Sequence, residues 1–199
     1  AGALRLTAVV CRSAGAQQWA KDTLPDTVRV CPSADQLYDY AEEFDAVLVV
    51  TPHKTHPALV MQAFAHGKHV LCDKPSANAL APALEMNRAA EKSGLVFAMM
   101  FHQRRYKKYM RLKKLLDDGA LGEIKRVQLE NSRYFRTWMY HRSGSWRSSW
   151  AGEGGGALLR GHGRCGHITS LSLVGALLTG PSLEERWYQK ASVPAFLRF

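Results

Sequence analysis

Five short apolar runs, separated by segments of helical spacing, constrain this chain more than any other feature. They are LRLTAVVC (4–11), TVRVC (27–31), DAVLVV (45–50), HVLC (69–72) and LVFAMMF (95–101). β-Branched and other strand-forming residues dominate each run. Ala14–Lys21 reads as a helix. Ser33 reads as the N-cap of a helix running through Phe44, with Tyr38, Tyr40 and Ala41 supplying its apolar faces. Pro57–His66 is helical and closed by Gly67, and Ala79–Ser93 is helical and closed by Gly94. Strand alternating with helix predicts a parallel sheet with crossover connections. DAVLVV is continuously apolar, as expected of a strand covered on both faces.

In such sheets ligands bind beyond the carboxyl ends of the strands. Three of the runs turn polar there: VV-TPHKTH, VLC-DKP and MF-HQRR. The charged tips are therefore the expected site, and the apolar strands behind them its rigid mount.

The 199 residues are 46% hydrophobic and 22% charged, enough for a sizeable core. No apolar stretch approaches the roughly 20 residues that span a bilayer, and no basic-then-apolar leader opens the chain. Cys11, Cys31, Cys72 and Cys165 form no C-x-x-C pair and read as small hydrophobes in a reducing compartment. The expected location is cytoplasmic, with no membrane partner. The net charge of +10 is lopsided: residues 1–100 hold 9 Lys/Arg against 10 Asp/Glu, and residues 101–199 hold 18 against 7. That asymmetry suggests an anionic partner for the second half.

After Tyr106 the pattern changes. Tyr109, Leu112, Leu115 and Leu116 repeat at helical spacing among lysines, and Gly119 ends that helix. Glu123–Tyr134 alternates like a strand. The run 135–152 is aromatic, basic and loop-like, and Gly154–Leu159 enters a further helical segment. Arg104–Lys114 packs seven basic residues into eleven, with tyrosines between them. Such a segment suits nucleic-acid phosphates. A solvated face of one amphipathic helix explains the same pattern, and nucleic acid is the weaker expectation.

Five ordered motifs, TPHKTH, GKHVLCDKP, FHQRRY, LGEIKRV and WRSSWAGEGGG, strongly resemble the glucose-fructose oxidoreductase / inositol dehydrogenase (Gfo/Idh/MocA) family over roughly residues 4–159. The resemblance implies an α/β fold: a Rossmann-type parallel sheet followed by an α+β domain with a mostly antiparallel sheet. On this chain it implies a partial nucleotide-binding domain over 1–103, the start of a substrate domain over 104–159 and an unaligned tail over 160–199. It implies hydride transfer between a nicotinamide cofactor and a sugar, cyclitol or related polyol. Pairing of copies through the large C-terminal sheet is implied where that sheet is complete.

Two departures from the family stand out. Its first strand and G-x-G-x-x-G/A turn, which bring backbone N–H groups to a pyrophosphate, have no counterpart before Leu4. The run Gly152–Ala157 follows SWRSSW rather than an apolar strand and is a poor substitute. The family's Asn/Asp, His and Asp slots after the Gly-rich segment hold Arg160, Arg164 and His167. A catalytically inactive remnant of the family is therefore an alternative to an active enzyme.

Lys74 is the expected catalytic residue and touches both cofactor and substrate by resemblance. An ammonium at that place can polarise the reacting oxygen or exchange a proton with it. Asp73 replaces the commoner Glu and is expected at the cofactor's ribose. Thr51, Pro52, His53 and His56 are expected along the cofactor. The His53/His56 spacing alone could suit a metal, but no third ligand is evident. Arg12 and Ser13 stand where proteins preferring NAD place a carboxylate for the ribose 2′-hydroxyl. An Arg there pairs with a 2′-phosphate instead, which favours NADP over NAD. Gln103 is expected at the cofactor and Arg104 at the substrate. Trp146 and Arg147 match a pair near the cofactor, and Tyr134 and Arg136 are further substrate candidates.

Overall fold

A computed structural model of the protein describes residues 4–126, 137–142, 144, 146 and 149–153. The chain order is β1 (Ala8–Val10), α1 (Ala14–Thr23), β2 (Arg29–Cys31), α2 (Ala34–Tyr38), β3 (Ala46–Val49), α3 (His56–Ala65), β4 (His69–Asp73), α4 (Leu80–Ser93), β5 (Phe97–Met100), α5 (Lys107–Asp117), α6 (Trp138–Arg142) and α7 (Trp150–Glu153). Short 3-10 turns stand at Ala41–Glu43, His53–Thr55 and His102–Arg105.

All pairings among the described strands are parallel, as the alternation predicts. β1 pairs with β2, and β3, β4 and β5 form a second sheet in that order. β4 is central. Its Val70 and Cys72, with Val49 of β3, face Val60 and Ala63 of α3 and Met86 of α4 in one buried cluster, rimmed by Tyr38, Phe64 and Phe97. The Phe64 and Phe97 rings meet edge to face at 5.7 Å, the geometry their quadrupoles favour.

Four sequence expectations need correction. The helix from Ser33 does not reach Phe44: Ser33 Oγ accepts from the Gln36 N–H at 3.2 Å, but α2 stops at Tyr38. The tyrosines on either side of the break have different partners. Tyr38 stacks on His66 at 4.1 Å on the β3–β5 side, while Tyr40 lies under the Arg29 guanidinium of β2 at 3.6 Å. The Tyr40 N–H turns back to the Leu37 carbonyl at 3.2 Å, and Tyr40 leaves helical dihedrals at φ −117 and ψ 29. Second, β3 is not covered on both faces. Val49 is buried, but Leu48 is 55% and Val50 62% exposed, and no described strand pairs with the outer edge of β3. Third, residues 123–126 carry no strand, and the rest of the expected strand lies outside the described residues. Fourth, the stretch read as loop contains α6 and α7.

Candidate active site

The ends of β3, β4 and β5 lie side by side because their registers run Val49↔Cys72 and Cys72↔Met99. Past these pairs come Thr51-Pro52, Lys74-Pro75 and the turn His102–Arg105. The structure thus brings Thr51, Pro52, Asp73, Lys74, Gln103 and Arg104 to one end of one sheet. Lys74 is half-buried and precedes a cis peptide bond to Pro75. Asp73 turns back on its own chain: its Oδ1 accepts from the Lys74 backbone N–H at 2.8 Å, a charge-assisted bond that fixes the start of the turn. The Arg104 guanidinium stacks over the Phe101 ring at 4.5 Å.

The Thr51 turn is tied internally. Thr55 Oγ1 donates to the Pro52 carbonyl at 2.7 Å and lies 2.8 Å from the Thr51 hydroxyl. His53 and His56 are both buried, at 7% and 0% exposure. His56 Nδ1 lies 2.9 Å from the Pro75 carbonyl oxygen, and Nε2 lies 2.6 Å from the Thr51 carbonyl oxygen. His53 packs edge-on against His56 at 5.8 Å and against Trp146 at 4.9 Å. Among the described residues, no three His, Cys, Asp or Glu side chains group as a metal site needs.

Trp146 reaches this end of the sheet through a tight turn. Ser149 Oγ donates to the Trp146 carbonyl at 2.9 Å and accepts from the Gly152 N–H at 3.1 Å. A Cβ on Gly152 would stand 2.1 Å from the Trp146 carbonyl oxygen, so only glycine fits there. Asn78 Nδ2 donates to the Ala151 carbonyl at 3.2 Å, fastening the segment to the chain beyond β4. Sequence reading missed Asn78, Ser149 and Gly152. Asn78 acts across 73 residues of chain, which no local pattern announces, and Ser149 and Gly152 close the turn that carries Trp146.

Arg12 and Ser13 follow β1, on the other sheet, and both are exposed. Ser13 Oγ accepts from the Ala16 N–H at 3.2 Å and caps α1. Tyr134, Arg136 and Arg147 lie outside the described residues. The basic run lies mostly on α5, where Lys113 pairs with Asp117 and Lys114 with Asp118, one turn on.

Comparison with known proteins adds the family. Residues 2–101 match the model described as oxidoreductase family, NAD-binding Rossmann fold, and residues 109–161 match a Gfo/Idh/MocA C-terminal domain. The chain is 36% identical over 83 residues to an inositol 2-dehydrogenase of Rhodococcus jostii, covering 41% of this chain and 23% of that protein. It superposes on scyllo-inositol dehydrogenase of Lactobacillus casei, solved with NAD(H) and scyllo-inositol, with TM-score 0.56 and 28% identity. That match covers 60% of this chain and 35% of the other. The WlbA dehydrogenase of Bordetella pertussis shares the fold at TM-score 0.74 and 23% identity, over 87% of this chain and 51% of its own. The matched part is thus less than a third of the curated relative's length. The comparisons give no support to nucleic-acid binding. With the N-terminal model alone matching half of the chain, and the polar strand ends where that fold keeps its ligand, the protein belongs to the Gfo/Idh/MocA oxidoreductase family.

Proposed function

We propose that this chain forms the nicotinamide-binding part of an oxidoreductase that acts on a sugar, cyclitol or related polyol, or the corresponding keto-sugar. The observation that carries the reading is the convergence of Thr51, Lys74 and Arg104 at the carboxyl ends of three adjacent parallel strands. The residues present suit a dinucleotide: cationic Lys74 and Arg12 and the Thr51 hydroxyl stand at strand ends and complement a polyanion. A bound nicotinamide supplies the hydride acceptor or donor. Lys74 then holds the substrate oxygen and moves the proton that accompanies hydride transfer. Asp73 and the Thr51 turn keep Lys74 in place, and Trp146 shields that end of the sheet from water. Arg12, exposed after β1, pairs with a 2′-phosphate, so the preferred cofactor is NADP rather than NAD.

The test is a calorimetric titration with NADPH and with NADH for the native chain, Lys74→Ala and Arg12→Asp. The expected result is preferential NADPH binding that Arg12→Asp weakens about 10–100-fold, the worth of a charge-assisted hydrogen bond. Lys74→Ala is expected to lower polyol turnover by about 10²–10⁴-fold. Binding of neither cofactor would overturn the reading and leave an inactive remnant of the family.

A further inference from the structure

The β3–β4 ladder ends at Val49↔Cys72. Thr51 and Lys74 therefore lie beyond the last paired residues, where the two strands diverge into separate turns. One side chain reaches both turns. His56, the first residue of α3, is wholly buried, and each of its ring nitrogens faces a main-chain carbonyl. One carbonyl belongs to Thr51 (2.6 Å) and the other to Pro75 (2.9 Å). We propose that His56 is a positioning residue, a two-ended clamp that fixes the Lys74-Pro75 turn against the turn that follows β3. The catalytic value of the clamp rests on the reading of Lys74 given above; the clamp itself does not.

The chemistry of the contacts sets a condition. A carbonyl oxygen only accepts, so both contacts are hydrogen bonds at once only when each ring nitrogen carries a proton. A ring with a single proton joins one turn and presents a lone pair to the other, which is no clamp. At 2.6 and 2.9 Å a bare ring nitrogen would set its lone pair against that of the facing oxygen, and His56 itself has no exposed surface. The neighbouring aromatic His53 packs against the ring by its edge, 5.8 Å between centroids. Lys74 is the residue most directly governed, because Pro75 is its peptide partner and Asp73 already pins its N–H.

The test uses the full chain without cofactor. Long-range nitrogen–proton spectra of the His56 ring are expected to show two bonded N–H groups. A ring with one bare nitrogen would overturn the clamp, and that measurement needs no variant to fold. In parallel, the rate at which an amine-reactive reagent labels Lys74 is compared with Lys54 and Lys68. In His56→Ala the Lys74 rate is expected to rise about tenfold, as loss of a buried hydrogen bond implies, while Lys68 is unchanged. Added imidazole is expected to restore the native rate, and 1-methylimidazole, with one nitrogen blocked, is not. A Lys74 rate that tracks Lys68 in the variant would overturn the proposal. Neither readout depends on turnover, so failure here is distinguishable from failure of the proposed activity.

Discussion

Cys72 shows how one residue serves the fold by staying inert. It is wholly buried beneath α3 and α4, and burial, reinforced by the Asp73 carboxylate, pushes its thiol from 9.0 up to about 12. Burial likewise pushes the Tyr38 phenol from 10.0 up to about 12. Well below pH 9 both groups are protonated in the folded and the unfolded chain, so their ionisation leaves stability unchanged. Between about pH 9 and 12 the unfolded chain alone gives up these protons, and stability falls as pH rises. Urea midpoints measured at about pH 9 and pH 11 are expected to drop, and Cys72→Val is expected to flatten part of that drop. Cys11 is only half-buried, so an alkylating reagent at neutral pH is expected to take it well before Cys72.

At the level of elements, much was legible because local signals agreed with the tertiary outcome. The five strands and the helices between them follow from apolar runs bounded by Gly, Pro and caps. Gly94 is a clear case: it closes α4 at φ +68, where a side chain is disfavoured. No atom stands within 4 Å of a Cβ placed there, so the cost of Gly94→Ala is conformational alone, about 1 kcal/mol, readable as a lowered denaturation midpoint. Where sequence and structure part, a long-range contact decides. α2 ends at Tyr38, whose ring stacks on His66 at the end of α3, while Tyr40 turns to Arg29 of β2. Ser13, in a position that suggests a ligand contact, spends its hydroxyl on the first turn of α1. At the site itself the strand ends were readable from composition. The bridge from His56 to two carbonyls was not, since main-chain acceptors leave no trace in the residue types.

The described strands divide into two sheets, β1–β2 and β3–β4–β5. β1 and β3 are each paired on one side only among the described residues, and Leu48, Val50, Leu6 and Val10 near those edges are exposed. Unpaired parallel edges with apolar flanks promote association. They also leave the β1–β2 pair with less buried surface than the β3–β5 sheet, whose cluster holds six of the buried core residues. Amide hydrogen exchange is expected to separate the two. Val9, Val10 and Val30 should exchange at least about tenfold faster than Val70, Leu71 and Cys72, in a step less sensitive to denaturant. Equal protection in both groups would mean that the halves open together.

Among the described residues, α2 is one link between the halves, through the bond from Gln62 Nε2 to Asp35 Oδ1 at 2.7 Å and the stack of Tyr38 on His66. Five residues are too few for a helix to persist in water by itself. Its shape is lent to it by the two bodies it touches, so it transmits strain between them only while both grips hold.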